Sequence, residues 1–204
     1  MPDRTNTLLI GTSNAGKVRE LRQLLHGWRL LTLADFPAVQ PPAETGETFE
    51  DNAALKARYY AAHTGLWALA DDSGLEVEAL GGAPGVHSAR YAGAGATDAE
   101  NVAKLLAELQ RTDDPERRGR FVCVIAIASP AGRTWLFRGA CEGRIAHAPR
   151  GQGGFGYDPI FIPEGESRTF GELSAEEKQQ RSHRARALAQ ARAFLLSLSD
   201  AAAR

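Results

Sequence analysis

The sequence is poor in sulfur: two Cys and one Met in 204 residues. Cys123 and Cys141 lie in apolar, strand-like stretches with neither a CxxC spacing nor a flanking histidine. That argues against a disulfide or a zinc motif and leaves two buried thiols in a reducing compartment. An excess of one charge is also missing, since 24 Lys and Arg against 25 Asp and Glu give a formal charge of −1. A general nucleic-acid binder would carry a basic excess, so nucleic acid is not expected as a partner. A local basic pocket for one small anion remains open. No apolar run reaches the length of a membrane span, and the N-terminus lacks the charged-then-apolar layout of a secretion signal. A cytoplasmic protein with no membrane partner is expected. Internal repeats and low-complexity tracts are absent, and the length suits one domain over 1–204.

What is present begins at residues 8–17, Leu-Leu-Ile-Gly-Thr-Ser-Asn-Ala-Gly-Lys, an apolar run that breaks into a glycine-bounded loop. Gly11-x-x-x-x-Gly16-Lys17 keeps the P-loop spacing up to its lysine. The next residue is Val18, where a P-loop enzyme needs the hydroxyl that holds Mg²⁺. Such a loop still offers backbone N–H groups, a helix start and one ammonium to a polyphosphate. The plain alternative is a helix N-terminus capped by Ser13 or Asn14. Lysine in a first turn opposes the helix dipole unless an anion sits there, which favours phosphate. Any metal must then be held elsewhere in the chain.

Periodicity predicts a buried strand at 8–11, a helix at 17–25 with Leu21, Leu24 and Leu25 on one face, and a second strand at 28–33. A proline-rich connector at 36–42 and the acids Glu44 and Glu47 precede a helix at 48–63, which Gly65 closes. A third strand at 66–70 is expected to end in a turn at Asp71-Asp72-Ser73-Gly74, with strand continuing over 75–80. Thr97 and Glu100 form a capping box opening a helix to about 109. Strands at 121–128 and 134–145 flank Pro130-Ala131-Gly132 as a hairpin. A second glycine loop at 151–156, a capping box at 174–177 and a terminal helix at 184–198 complete the chain. Strands interleaved with helices, plus one hairpin, predict an α/β fold with a mixed central sheet and flanking helices.

Four segments carry candidate chemistry. Asp71 and Asp72 can share a Mg²⁺, whose charge removes their repulsion, or can simply be a solvated turn. Glu44 or Glu47 can add a ligand, or serve only as helix-dipole partner. In Gly153-Gly154-Phe155-Gly156-Tyr157-Asp158, glycines let backbone approach a ligand. There Phe155 or Tyr157 can stack on a base and Asp158 can accept from a ring N–H; the alternative is a pair of core aromatics. Lys178, His183 and Arg184 gather around a helix start, where cations fit poorly without an anionic or carbonyl acceptor nearby. A solvated charged face is the alternative.

Taken in order, these segments resemble the noncanonical purine nucleoside triphosphate pyrophosphatases, the dITP/XTP or inosine triphosphate pyrophosphatase family. The resembling residues are Thr12-Ser13-Asn14-Ala15-Gly16-Lys17, then Glu44-Thr45-Gly46 with Phe49, Asn52, Ala53 and Lys56. Ala70-Asp71-Asp72-Ser73-Gly74-Leu75 and Gly81-Gly82-Ala83-Pro84-Gly85 with Ser88-Ala89-Arg90-Tyr91 follow. Phe155-Gly156-Tyr157-Asp158-Pro159 and Glu177-Lys178 with Ser182-His183-Arg184 complete the set. The resemblance implies two lobes around a long substrate cleft, a homodimer, and Mg²⁺-dependent cleavage of ITP, dITP and XTP to monophosphate and pyrophosphate. It implies phosphate contacts from Thr12 to Lys17 and from Lys56, metal ligation by Glu44 and Asp72 with Asp71 as a further ligand, and Asp72 as the base. Ser73, Phe155, Gly156, Tyr157, Asp158, Lys178, His183 and Arg184 are the implied remaining substrate contacts. Rival readings are a P-loop NTPase, a Maf-like pyrophosphatase acting on modified pyrimidine nucleotides, and a non-catalytic nucleotide sensor.

Overall fold

Leu8, Leu9 and Ile10 are all fully buried, which requires cover on both faces of the strand they form. That strand, β1 (Thr7–Ile10), runs parallel to β2 (Arg29–Thr32) on one side and to the start of β3 (Trp67–Val77) on the other. The connection from β1 to β2 is helix α1 (Ala15–Leu24), and α2 (Phe49–Thr64) leads into β3. Parallel neighbours need such crossovers. The computed structural model describes residues 7–25 and 28–202, with the side chains at 23, 24 and 199–202 left aside. The Leu24 side chain, expected on the apolar face of α1, and the first six residues lie outside the described residues.

The sheet has the order β2-β1-β3-β4-β5-β6, with β4 (Arg118–Ala128), β5 (Thr134–Ile145) and β6 (Phe161–Pro163). It is mixed as expected, since β6 runs antiparallel to β5. Between β4 and β5 the turn is closed by Ser129 and Gly132, the latter at φ 85°. Helix α3 (Asp98–Leu109) opens on the Thr97–Glu100 capping box and α4 (Ala175–Arg181) on the Ser174–Glu177 box. The last helix, α5, is His183–Ala202.

One expectation is overturned, and another is shortened because the strand expected over 75–80 ends at Val77 in a 3-10 turn at Glu78–Leu80. Asp71-Asp72-Ser73-Gly74 is no turn: β3 runs through it without a break to Val77. Gly74 supplies one reason, because a Cβ there would lie 2.4 Å from both the Gly85 carbonyl and the Ser88 hydroxyl. Its glycine permits close approach of the 85–88 segment and serves no bend.

The chain divides into two compact units. The first comprises the residues up to Asp72, Cys123–Gly139 and those from Arg186 onward. Its core joins Leu8, Ile10 and Leu69 of the sheet to Leu21 of α1, Ile125 of β4 and Leu188 and Leu195 of α5. The second comprises Ser73–Val122 and Ala140–Ala185, with a core of Val102 and Leu105 from α3 against Phe121, Phe161 and Phe170. Both cysteines are buried and neither is in a disulfide; one lies in each core. No helix among the described residues is long and apolar enough to cross a membrane.

Candidate active site

In the first unit, Asn14 caps α1, its Oδ1 accepting from the Lys17 N–H at 3.0 Å. The cap turns the chain from β1 into the helix and leaves Thr12 to Gly16 at the end of the strand, with Ser13, Asn14 and Ala15 exposed. Val18, at the position of the missing P-loop hydroxyl, packs against the core.

Strand alternation then sorts the two aspartates. Asp71 shares the parity of Leu69 and meets α1, where its Oδ2 pairs with Lys17 Nζ at 2.8 Å. Asp72 shares the parity of Ala68 and Ala70 and meets α2, where its Oδ1 pairs with Lys56 Nζ at 3.0 Å. The same ammonium holds Glu44 Oε1 at 2.7 Å, so two carboxylates 28 positions apart share one cation. Asn52, fully buried on α2, locks this arrangement: its Nδ2 donates to Asp72 Oδ2 at 3.3 Å and its Oδ1 accepts from the Gly46 N–H at 2.8 Å. Burial pushes the Asp72 carboxyl above the usual carboxylate range, against the pull of Lys56 and Lys17. Burial works to lower Lys56, but the charges of Asp72, Asp71 and Glu44 outweigh it and hold the ammonium above its ordinary pKa.

Among the described residues, no three His, Cys, Asp or Glu side chains form a ready-made metal cage. The donor set nonetheless suits Mg²⁺, which takes one or two carboxylates and completes its shell with water and substrate phosphates. Glu44 and Asp72 offer hard oxygen ligands already drawn to a common cation.

In the second unit the glycine loop wraps around Asp158. Asp158 Oδ2 accepts from the Phe155 N–H at 2.8 Å and from Lys178 Nζ at 2.6 Å. Gly154, at φ 76°, lies so close to that carboxylate that a Cβ would sit 1.9 Å from Oδ2. Phe155 is half-buried, with Lys178 Nζ 4.8 Å and the Arg184 guanidinium 5.6 Å from its ring centre. Arg184 also donates to Ser73 Oγ at 3.1 Å. His183 is buried and stacks on Phe121 at 4.7 Å, while Ser182 Oγ accepts from the Ala185 N–H in the first turn of α5.

The residues expected from sequence thus fall into two groups. Lys17, Glu44, Lys56, Asp71 and Asp72 form one; Ser73, Phe155, Asp158, Lys178 and Arg184 form the other. Tyr157 separates from the second group. It sits in the apolar core, 4 % exposed, its hydroxyl donating to the Ser88 carbonyl at 2.9 Å. Asn52 was not singled out for a role in the site, although a polar side chain inside an alanine-rich helix face is the signal that could have found it.

Fold and site together define a mixed-sheet α/β protein with a lysine–carboxylate centre beside its first β-to-α turn. The chain belongs to the Ham1 family, whose model matches residues 8–194. It is 52 % identical over 195 residues to a dITP/XTP pyrophosphatase of Thermus thermophilus, covering 95 % of this chain and 92 % of that protein. A dITP/XTP pyrophosphatase of Geobacillus kaustophilus is 51 % identical over 183 residues, 89 % of this chain and 90 % of the relative. Among solved structures, a HAM1 protein from Coxiella burnetii superposes with a TM-score of 0.87 at 44 % identity, covering 94 % of this chain and 98 % of that one.

Proposed function

We propose that this protein hydrolyses noncanonical purine nucleoside triphosphates, ITP, dITP and XTP, to the monophosphate and pyrophosphate, and so cleanses the nucleotide pool. The observation that carries the reading is Lys56 held between Glu44 and Asp72, close by a lysine-bearing phosphate loop. A centre of this kind suits cleavage of a phosphoanhydride assisted by a divalent cation. The likeness to the Thermus and Geobacillus proteins supports the substrate class. The whole chain, 1–204, acts as one functional domain.

The backbone from Thr12 to Gly16, with Lys17 and Lys56, holds the phosphates, and Asp71 orients Lys17. Glu44 and Asp72 hold Mg²⁺, which when bound neutralises phosphate charge and acidifies water. Asp72 takes the proton of the water that attacks the α-phosphorus, the bond from that phosphorus to the bridging oxygen breaks, and pyrophosphate leaves. Phe155 stacks on the purine, with Lys178, His183 and Arg184 around its edge. Hypoxanthine and xanthine carry a 6-oxo acceptor where adenine carries an amino donor. An Arg184 N–H aimed at that oxygen therefore leaves a donor unpaired when adenine binds. Two buried cysteines outside any disulfide suit a reducing cytoplasm, and a homodimer is the working assembly of this reading.

The test is a panel of nucleoside triphosphates with Mg²⁺, following pyrophosphate against phosphate. ITP should yield inosine monophosphate and pyrophosphate from the first turnover. Inosine diphosphate and phosphate as initial products would overturn the proposal.

A further inference from the structure

The base loop is pinned from outside as well as from within. Phe155 stands between two backbone amides, its own and that of Gly156. The first donates to Asp158 Oδ2 at 2.8 Å, and the second donates to Asp98 Oδ2 at 2.6 Å. Asp98 is the first residue of α3 and the other end of the loop's support. An acid there is ordinarily spent on the helix dipole. Here the cap is already complete without it: Thr97 Oγ1 accepts from the Glu100 N–H at 3.3 Å, and Glu100 Oε2 accepts from the Thr97 N–H at 2.7 Å. The Asp98 carboxylate is therefore available to the loop.

The helix end that carries it is itself fixed. Asn101 Oδ1 accepts from the Ala92 N–H at 2.8 Å and its Nδ2 donates to the Ala89 carbonyl at 3.3 Å. Residues 85–90 hold Tyr157 through the Ser88 carbonyl. Gly156, at φ 62°, stands in the left-handed region, so its peptide planes depend on such anchors.

We propose that Asp98 is a positioning residue for nucleotide recognition: by holding the Gly156 N–H it sets the orientation of the Phe155 ring. The inference rests on the reading of Phe155 as the purine platform. Stacking is common to every purine, so Asp98 acts on purine binding in general, and the choice between 6-oxo and 6-amino bases lies with other groups.

The experiment compares Asp98→Ala, Asp98→Asn and Phe155→Ala with the unmodified protein. It uses ITP and ATP as substrates, tripolyphosphate as a base-free competitive inhibitor, and a thermal midpoint for each variant. Asp98→Ala should raise KM about tenfold for both nucleotides with kcat within about twofold, the pattern of a lost binding contact. Its inhibition constant for tripolyphosphate should stay unchanged. Asp98→Asn, which keeps an acceptor oxygen, should restore most of the KM. Phe155→Ala should raise KM roughly ten- to a hundredfold, as loss of a base–aromatic stack does. If Phe155→Ala raises KM and Asp98→Ala does not, the positioning role falls and the platform stands. The same holds if Asp98→Ala weakens tripolyphosphate equally and Asn gives no rescue. If Phe155→Ala leaves KM unchanged, the platform reading falls and the inference with it.

Discussion

The two groups of candidate site residues are built on different principles. In the first unit Lys17, Lys56, Asp71 and Asp72 sit on regular elements, and strand parity decides which lysine each aspartate meets. Asp71 faces the helix of Lys17, and Asp72 faces the helix of Lys56. In the second unit the half-buried Phe155 rides on a glycine loop whose amides donate hydrogen bonds to the Asp158 and Asp98 carboxylates. Charges carried mostly on rigid elements suit a ligand part that every nucleotide shares. An aromatic ring on a pinned loop suits the base, and the cations beside it suit the part of the base that differs. The difference teaches that substitutions in the first group should act on all nucleotides alike, whereas those in the second can act on the choice among them.

The largest expected effect is therefore indiscriminate. Asp72→Asn removes a charge and keeps the volume, and its amide oxygen can still accept from Asn52. Turnover of every nucleoside triphosphate should fall by roughly a hundredfold or more, the scale of losing a group at the reacting centre. Steady-state rates with ITP and ATP, beside circular dichroism to show an intact fold, check it. Near-full activity at saturating Mg²⁺ would break the assignment of the first group.

Next comes the effect that should discriminate. Arg184→Ala should lower kcat/KM for ITP by one to two orders of magnitude and for ATP much less, since about 1.5–3 kcal/mol rides on a charge-assisted hydrogen bond to the 6-oxo group. Equal losses for both substrates would move Arg184 from recognition to structure. Lys17→Ala sharpens the contrast from the other side. It should weaken both substrates equally, by about tenfold, because the triphosphate is common to them.

Much of this was legible in the sequence where signals are local. Thr97 with Glu100, Ser174 with Glu177, and Thr48 with Gly65 marked helix ends that the structure keeps. The acids and lysines of the site were legible as residue types. Their partnership was not, because it depends on which face of β3 each aspartate takes. The acidic stretch at 71–74 misled for the same reason. Asp-Ser-Gly is turn chemistry by itself, and what holds it extended is remote: Lys17, Lys56 and the 85–88 segment packed against Gly74. Asp98 stayed hidden because an acid at a helix start already has an ordinary explanation. The three-residue β6 was too short to show a period.

The smallest expected effect concerns Tyr157, the one aromatic of the glycine loop that lies in the core. The family resemblance groups it with the substrate contacts, beside Phe155, whereas the residues alone also allow a core role. It belongs to the same buried core cluster as Leu75, Val102 and Phe161, and its hydroxyl donates to the Ser88 carbonyl at 2.9 Å. Tyr157→Phe keeps that packing and deletes only the hydroxyl, leaving the Ser88 carbonyl without this donor. The loss should be about 0.5–1.5 kcal/mol of stability, read as a fall of roughly 1–6 °C in the thermal midpoint for a chain of this size. KM for ITP should change by less than about twofold, because the residue then supports the loop from below and touches no base. A clear rise in KM with an unmoved midpoint would return Tyr157 to the substrate contacts. It would also erase the distinction between the side of the loop that packs in the core and the side that carries Phe155.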